Sequence, residues 1–386
     1  MIFDILQNIL DYMNGYNSIE LVNIDKQIYN NVHIYSFNIP LYSNITQNTL
    51  HQKKFCKLKR LVCGNESSIT DINHLCNTLE ELHCNSNTSE CGINKKGISK
   101  LKKLKKLYCS GNRNIKNVNF LSDTLEELDC SWNCGINNYG LSKLKKLRYL
   151  NCDSNKKITD LNNFNETLEE LHCAGNSGID STNLLKLQKL RILNCNFNYK
   201  INNVNCLAYT LEELYCDGYC SGSQNGILDQ FGISKLKKLK KLYCPNNSRI
   251  TNVNHLAHTL EILICDGICG ITPIGLSELQ NLKVLNCDGN HKIKNIKHLG
   301  KTLEILYCAG YNRNHICNTN CCNINQSDID SMTSLKILDC SGNSNIFSVC
   351  HLAHSLEELY CTSSSGIDQC GISNLKKLKI LDCFCN

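Results

Sequence analysis

"LKKLKKLYCSGN" at residues 101–112 and "LSDTLEELDCSWN" at residues 121–133 are two copies of one phrase. Both contain Leu-x-x-Leu-x-Cys-x-x-Asn, with a cysteine where a leucine would be ordinary. The last leucine and the cysteine are two residues apart, so on a β-strand their side chains point to the same face of the sheet. The residue between them, Tyr108 in the first copy, points to the other face. The phrase therefore predicts a short strand with one buried face.

The phrase recurs fifteen times, and most copies lie 21 or 22 residues apart. Longer intervals of 25, 28 and 32 residues precede Cys109, Cys244 and Cys340, where we expect inserted loops. A unit this short cannot bury its apolar side alone, so the copies must stack on one another. The cysteines that mark the copies are Cys63, Cys84, Cys109, Cys130, Cys152, Cys173, Cys195, Cys216, Cys244, Cys265, Cys287, Cys308, Cys340, Cys361 and Cys383.

This pattern resembles the leucine-rich repeat, whose signature is Leu-x-x-Leu-x-Leu-x-x-Asn. The resemblance covers roughly residues 55–386. It implies an α/β fold, a leucine-rich-repeat solenoid: a horseshoe with a parallel concave sheet of about fifteen repeats. Each strand is expected to return through a convex segment such as "NIKNVNFLSDT", whose Ile115, Val118 and Leu121 reach the same core. The asparagine that ends the phrase resembles the family's asparagine ladder, which bonds backbone groups of the turn.

The chain has 28 cysteines, which we interpret as reduced thiols. Its opening "MIFDILQNIL" does not have the pattern of a signal peptide, and no apolar run is long enough for a transmembrane helix. We therefore expect a cytoplasmic protein. A free cysteine behaves as a small apolar residue, so column cysteines such as Cys152 and Cys287 should be buried and unpaired.

The first residue between the two leucines alternates in charge through all fifteen copies. Neighbouring strands lie about 4.8 Å apart, so each basic side chain should lie between two acidic ones. Opposite charges on neighbouring strands contribute roughly 0.2–1 kcal/mol per pair. The alternation predicts a true unit of two repeats, about 43 residues. The alternating residues are Lys59, Glu80, Lys105, Glu126, Arg148, Glu169, Arg191, Glu212, Lys240, Glu261, Lys283, Glu304, Lys336, Glu357 and Lys379.

Few residues point to chemistry. The segment "HICNTNCC", His315 to Cys322, has metal-ligand residue types, but its spacing matches no common structural zinc motif. The pairs Cys130/Cys134, Cys216/Cys220 and Cys265/Cys269 straddle a turn and are interpreted as packing variants. The "HLAH" segments at His255–His258 and His351–His354 are interpreted as a solvated face. We predict no catalytic residues, no metal and no cofactor, hence no enzyme. A net charge of +6 on dispersed lysines predicts neither nucleic-acid nor membrane binding.

The first fifty residues do not follow the repeat. "DILQNILDYM" predicts a helix, and "IELVNIDKQIYNNV" predicts a second after a turn at Gly15. These stretches resemble a divergent F-box, although the family's leading Leu-Pro is absent and Tyr29 stands where tryptophan is usual. The resemblance divides the chain into an F-box-like helical segment, 1–45, and a leucine-rich-repeat solenoid, 46–386. The residues it implies for binding an adaptor are Ile5, Leu6, Ile9, Leu10, Val22 and Ile24.

The combination looks like the F-box/leucine-rich-repeat proteins of giant amoeba-infecting viruses. In that family the F-box docks a Skp-type adaptor of a cullin ubiquitin ligase, and the repeats hold the substrate. The resemblance implies a non-catalytic substrate-recognition subunit, in the host cytoplasm if the protein is viral. A plain leucine-rich-repeat scaffold, whose N-terminal helices only cap the solenoid, is the alternative. A metal or thiol redox protein built on repeats is a third reading.

The residues expected on the concave face change along the chain. The second residue between the leucines is charged in early copies, as in Arg60, Glu81 and Lys106, and becomes apolar later. Adjacent exposed Ile, Val and Tyr have no structural role on a solvated sheet, although β-branched residues also favour strands. Asp266, Asp288 and Asp339 are expected to flank the apolar stripe, so a partner with an apolar core and a basic rim would fit. The predicted substrate-binding residues are Ile262, Ile264, Val284, Ile305, Tyr307, Ile337 and Tyr360.

Overall fold

The computed structural model describes residues 33–39, 45–63, 68–86, 91–218, 228–310, 322–363 and 365–384. These residues form two compact units, the first reaching Ile179 and including 186–190, the second comprising 180–185 and everything from Arg191. The strands of the first unit are β1 (Ser36–Asn38), β2 (Arg60–Val62), β3 (Glu81–His83), β4 (Lys106–Tyr108), β5 (Glu127–Asp129), β6 (Tyr149–Asn151) and β7 (Glu170–His172). Those of the second are β8 (Ile192–Asn194), β9 (Glu213–Tyr215), β10 (Lys241–Tyr243), β11 (Ile262–Ile264), β12 (Val284–Asn286), β13 (Ile305–Tyr307), β14 (Ile337–Asp339), β15 (Glu358–Tyr360) and β16 (Ile380–Asp382).

Within each unit, consecutive strands pair in parallel with the same position of each repeat in register. The leucine at the centre of each strand faces its counterpart, as Leu107 faces Leu128. Fifteen of the strands are the predicted ones. The additional strand, β1, pairs with β2 through Phe37 and Leu61. It carries no Leu-x-x-Leu phrase, which is why the sequence pattern does not predict it.

The core has the predicted composition. Leu107, Cys109 and the convex-side Ile115, Val118 and Leu121 are all buried. The column cysteines through Cys361, including Cys152 and Cys287, are buried and not joined in disulfides, as predicted. Burial raises the pKa of both Cys152 and Cys195 to about 12, so these thiols stay neutral at physiological pH. Cys383 is the exception: it is exposed, because it follows β16, which pairs only with β15 among the described strands.

The return segments alternate between two forms, so the two-repeat unit is also a structural unit. Most segments that leave a basic repeat contain a 3₁₀ turn, whereas several that leave an acidic repeat contain one turn of α-helix. The α-helices are α1 (Gln47–Leu50), α2 (Lys95–Ile98), α3 (Asn138–Leu141), α4 (Gln230–Ile233), α5 (Pro273–Leu276) and α6 (Gln326–Ile329). The 3₁₀ turns are Lys53–Phe55, Asn73–Leu75, Asn119–Leu121, Asn162–Phe164, Ser181–Leu184, Asn205–Leu207, Asn254–Leu256, Lys297–Leu299 and Cys350–Leu352.

A left-handed residue follows the column cysteine by two positions in many repeats. In the first unit these residues are Gly111 (φ 69°), Trp132 (φ 58°), Ser154 (φ 54°) and Gly175 (φ 62°). Glycine adopts this conformation freely, whereas an L-residue with a side chain incurs about 1–2 kcal/mol. Trp132, like Phe197 (φ 59°) in the second unit, is therefore an unfavourable choice at this turn.

The predicted F-box-like residues Ile5, Leu6, Ile9, Leu10, Val22 and Ile24 lie outside the described residues. Most of the "HICNTNCC" segment also lies outside them; only Cys322 is described, and it is buried. Across the described ranges, no helix has the length and apolar character needed to cross a membrane.

Candidate functional site

The predicted apolar residues form two adjacent rows on the exposed face of the second unit's sheet. Ile262, Val284, Ile305 and Ile337 are register partners on β11 to β14 and make the first row. Ile264, Tyr307 and Tyr360 belong to the second row, two residues further along each strand. All seven are half-buried. We call these seven residues the apolar strip. At about 4.8 Å per strand, its first row spans about 14 Å.

Charged residues lie at both ends of the first row, and each contacts a neighbouring polar side chain. On β10, Lys241 precedes the first row and its Nζ lies 2.8 Å from Glu213 Oε1. On β15, Glu358 ends the row and accepts a 2.9 Å hydrogen bond from the Tyr360 hydroxyl. The first row thus ends at charged residues on both sides, which limits this row to four strands.

An acidic edge follows the strands of the strip. Asp288, nearly buried, accepts a 2.7 Å hydrogen bond from the backbone N–H of Ala309. Burial is the main reason that the pKa of Asp288 rises to about 7, and the negative charges of Asp339 and Asp266 raise it further. Burial likewise raises the pKa of Asp266. This edge therefore gains negative charge as the pH passes through neutrality.

The structure corrects one placement and adds residues that the sequence analysis did not select. Asp339 does not flank the strip: it lies within the second row between Tyr307 and Tyr360, and is only 4% exposed. Tyr215 and Tyr243 continue that row on β9 and β10, with stacked rings 4.2 Å apart. Their position in the repeat, the same as that of Tyr307 and Tyr360, is the sequence signal that could have identified them.

The same face of the first unit is polar and largely satisfied by internal contacts. Arg60 Nε lies 2.9 Å from Glu81, and Lys106 Nζ lies 2.8 Å from Glu127. The Tyr108 hydroxyl donates a 2.7 Å hydrogen bond to Glu127, and its ring stacks on a neighbouring histidine. The charged side chains of the early copies therefore form ion pairs and hydrogen bonds with one another, in contrast to the residues of the apolar strip.

The predicted charge ladder is present along the residues that precede the strands. Lysines reach back to the preceding acidic repeat, as in Lys105–Glu80 at 3.0 Å, whereas the arginines reach forward, as in Arg148–Glu169 at 2.9 Å. Glu212 is bound from both sides, by Arg191 at 3.0 Å and a lysine at 2.9 Å. These two hydrogen-bonded cations lower its pKa to about 2. The remaining pairs are Lys283–Glu261, Lys336–Glu304 and Lys379–Glu357.

Among the described residues, the buried asparagine ladder occurs in basic repeats and not in acidic ones. In basic repeats the asparagine is buried, and Asn155 Nδ2 donates to the carbonyls of Cys130 and Ile136 in the preceding repeat. In acidic repeats the corresponding Asn133 is exposed, and the next residue, Cys134, takes the buried position. The Cys134 thiol packs 3.7 Å from that of Cys109. The expectation that a phrase-ending asparagine such as Asn133 joins the ladder is therefore wrong in acidic repeats, which fill this site with a thiol or a serine.

Two further sequence interpretations can be compared with the contacts. Cys134 and Cys269 are buried against column cysteines, as a packing role requires. His255 and His351 do not simply face solvent: the Nε2 of each lies 3.0–3.1 Å from a backbone carbonyl of the preceding return segment. Within the described part of the chain, no group of three or more His, Cys, Asp or Glu residues could hold a metal ion.

Comparison with known proteins agrees with this architecture. The family model described as leucine-rich repeats (2 copies) matches residues 123–166. No curated protein matches the chain. The structure is similar to that of a leucine-rich-repeat protein of Leptospira interrogans, with a TM-score of 0.54 and 19% identity over 93% of this chain and 92% of that one. It is also similar to the mouse RP105/MD-1 complex, with a TM-score of 0.58 and 16% identity over 94% of this chain and 69% of the other. A third similar structure is the TLR13–ssRNA13 complex, with a TM-score of 0.51 and 16% identity over 96% and 60%.

The parallel sheet and these neighbours define the fold as an α/β leucine-rich-repeat solenoid. Proteins with this fold are generally protein-interaction scaffolds.

Proposed function

We propose that this protein is a non-catalytic protein-interaction adaptor and that the apolar strip is its substrate-binding surface. The observation that carries this proposal is the continuous first row, in which Ile262, Val284, Ile305 and Ile337 are half-buried register partners on four neighbouring strands. A solvated sheet gains nothing from such a row, whereas contiguous exposed apolar surface marks interaction sites.

The partner's chemistry follows from the surroundings of the apolar strip. Its apolar centre would pack on the isoleucines, and basic groups at its rim would meet Asp266 and Asp288. Because the pKa of Asp288 is about 7, its carboxylate is mostly neutral at pH 6 and mostly charged at pH 8. A partner with a basic rim should therefore bind more tightly at pH 8 than at pH 6.

The finer proposal is that the adaptor is the substrate-recognition subunit of a Skp/cullin-type ubiquitin ligase acting in the cytoplasm. Its support is the F-box resemblance of "DILQNILDYM" and "IELVNIDKQIYNNV", which precede the repeats. Ile5, Leu6, Ile9, Leu10, Val22 and Ile24 would bind a Skp-type adaptor protein. A scaffold whose N-terminal helices only cap the repeats is the alternative.

Two lysine substitutions test the substrate surface. Ile262→Lys with Ile305→Lys should leave the repeats folded and abolish capture of the partner, because each buried isoleucine contributes about 1.5–3 kcal/mol to an interface. The matched control is Ile192→Lys, at the same repeat position on β8 but outside the apolar strip. Affinity purification of full-length chains with quantitative mass spectrometry measures the loss. Equal loss in the control, or none in the double variant, would show that the site is misplaced.

An adaptor-binding assay tests the ligase proposal separately. Purified full-length protein is mixed with a recombinant Skp-type adaptor, and binding is measured by calorimetry. Ile9→Asp should abolish binding, whereas the Ile262/Ile305 double variant should bind the adaptor as the unmodified chain does. If the unmodified protein binds no such adaptor, the N-terminal helices are a cap and the scaffold alternative holds.

A further inference from the structure

The only tryptophan of the chain, Trp132, lies at a turn where most other described repeats have glycine or serine, the exceptions being Phe197 and Asn246. Its φ of 58° places it in the left-handed region, and its side chain is 64% exposed. In the same row of the first unit, the neighbouring repeats carry Gly111 and Ser154. The fold therefore keeps a large aromatic side chain in an unfavourable backbone conformation without burying it, so packing does not account for the residue.

The groups beside Trp132 are acidic and aromatic. The Trp132 N–H donates a 2.6 Å hydrogen bond to the backbone oxygen of Asp153 on the next repeat. Asp129, which ends β5, lies three residues before Trp132 and accepts a 3.0 Å hydrogen bond from the N–H of Ser131. Neither Asp129 nor Asp153 forms an ion pair with a lysine or arginine among the described residues. Tyr149 on β6 is the register partner of Glu127 on β5, the strand that Asp129 ends.

These half-buried carboxylates have no lysine or arginine partner among the described residues; the positive charge of a protonated His172 is the cationic influence on Asp153. Burial raises the pKa of Asp153, with the charge of Asp129 as a smaller cause. Burial also raises the pKa of Tyr149, and the charge of Asp129 adds to it. The same negative potential would stabilise a cation that enters the site.

We propose that Trp132, Asp129 and Asp153 form a binding site for an arginine side chain on a basic segment of a partner protein. A guanidinium stacks flat on an indole and pairs with carboxylates in a fork geometry, which fits an exposed tryptophan beside two acidic groups. The site belongs to the first unit, whereas the apolar strip belongs to the second, so this inference does not depend on the proposed substrate surface.

Because the protein has one tryptophan, its intrinsic fluorescence reports on this site alone. The probe is hexa-arginine, acetylated and amidated at its ends, added to the full-length chain. We expect a saturable fluorescence change and protection of the indole from acrylamide quenching. The Asp129→Asn/Asp153→Asn double variant should need about tenfold more peptide for the same change. Asp160→Asn, which neutralises an exposed carboxylate elsewhere in the unit, should respond like the unmodified protein.

Two results would overturn the proposal. One is an equal response to hexa-citrulline, which has a similar shape but no charge, or an unchanged response in the double variant. The other concerns Trp132→Gly, which removes the left-handed side chain and should melt at or above the temperature of the unmodified protein. A melting temperature several degrees lower would show that Trp132 serves the fold instead.

Discussion

Replacing Asp288 by asparagine should change how the stability of the protein depends on pH. The carboxyl group is almost fully buried, and its pKa rises from 3.8 to about 7 on folding, mainly because burial disfavours the charged form. Between these two values the folded chain binds a proton that the unfolded chain has lost. Stability contributed by this group is therefore complete below pH 3.8 and is lost as the pH rises through 7.

The magnitude follows from the two pKa values. Each unit of difference corresponds to 1.36 kcal/mol, so the loss between pH 4 and pH 8 is roughly 4 kcal/mol. An asparagine keeps an oxygen to accept the hydrogen bond from Ala309, but its buried amide group costs about 1–3 kcal/mol at every pH. Asp288→Asn should thus be less stable than the unmodified protein at pH 4 and more stable at pH 8.

The assay is urea denaturation followed by circular dichroism at pH 4, 5, 6, 7 and 8, on the unmodified chain, Asp288→Asn and the exposed-site control Asp160→Asn. The difference in free energy of unfolding between Asp288→Asn and the unmodified chain should grow steadily with pH. The control should show a far smaller trend, because the Asp160 side chain is exposed. Parallel pH curves for all three proteins would refute the reasoning, since they would mean that burial of Asp288 does not disfavour its charge.

Three further predictions concern stability. Glu212→Gln should reduce the free energy of unfolding by about 1 kcal/mol at pH 7, with the difference disappearing as the pH falls from 4.5 towards 2, whereas Glu126→Gln should cost less in the same urea titrations. Cys152→Ser should cost about 1–3 kcal/mol by thermal unfolding, because Ser177 Oγ lies 3.8 Å from the thiol, too far for a hydroxyl hydrogen bond, so the new hydroxyl is buried without a good partner; an unchanged melting temperature would contradict this. Gly275→Ala should lower the free energy of unfolding by about 1–3 kcal/mol, because the new Cβ would clash with the Thr251 carbonyl oxygen of the preceding repeat. An unchanged melting temperature would disprove that contact.

The repeating features could be predicted from the sequence because the residue pattern that specifies each of them occurs in many copies. Fifteen copies of one phrase fix the strands, the burial of Leu107 and Cys109, and the alternating ion pairs such as Lys105–Glu80. A strand that lacks the phrase could not be found this way. The strand β1 is held by Phe37, and its signal is a single aromatic residue in an otherwise ordinary stretch.

Features that depend on neighbouring repeats were harder to predict. Asp339 was expected beside the apolar strip, although it directly precedes its column cysteine, as Tyr307 and Tyr360 do, and that position places it between them in the second row. The exchange of Asn133 for Cys134 at the buried turn position was also missed, because Cys134 lies one residue beyond the phrase and only packing decides which of the two is buried. The left-handed conformation of Trp132 could have been recognised, since it aligns with Gly111 and Gly175 of other copies.

Two independent features now specify the stacking of the repeats in pairs. A shift by one repeat would place glutamates beside glutamates along the charge ladder, at a cost of a few tenths of a kcal/mol for each exposed pair. The same shift would also bring buried asparagines such as Asn155 next to repeats whose return segments differ from those that supply the carbonyls of Cys130 and Ile136. An unsatisfied buried amide costs about 1–3 kcal/mol, which is more than an exposed ion pair contributes. The buried asparagines are therefore a stronger determinant of register than the exposed ion pairs. The alternating charges favour the same register that the core specifies.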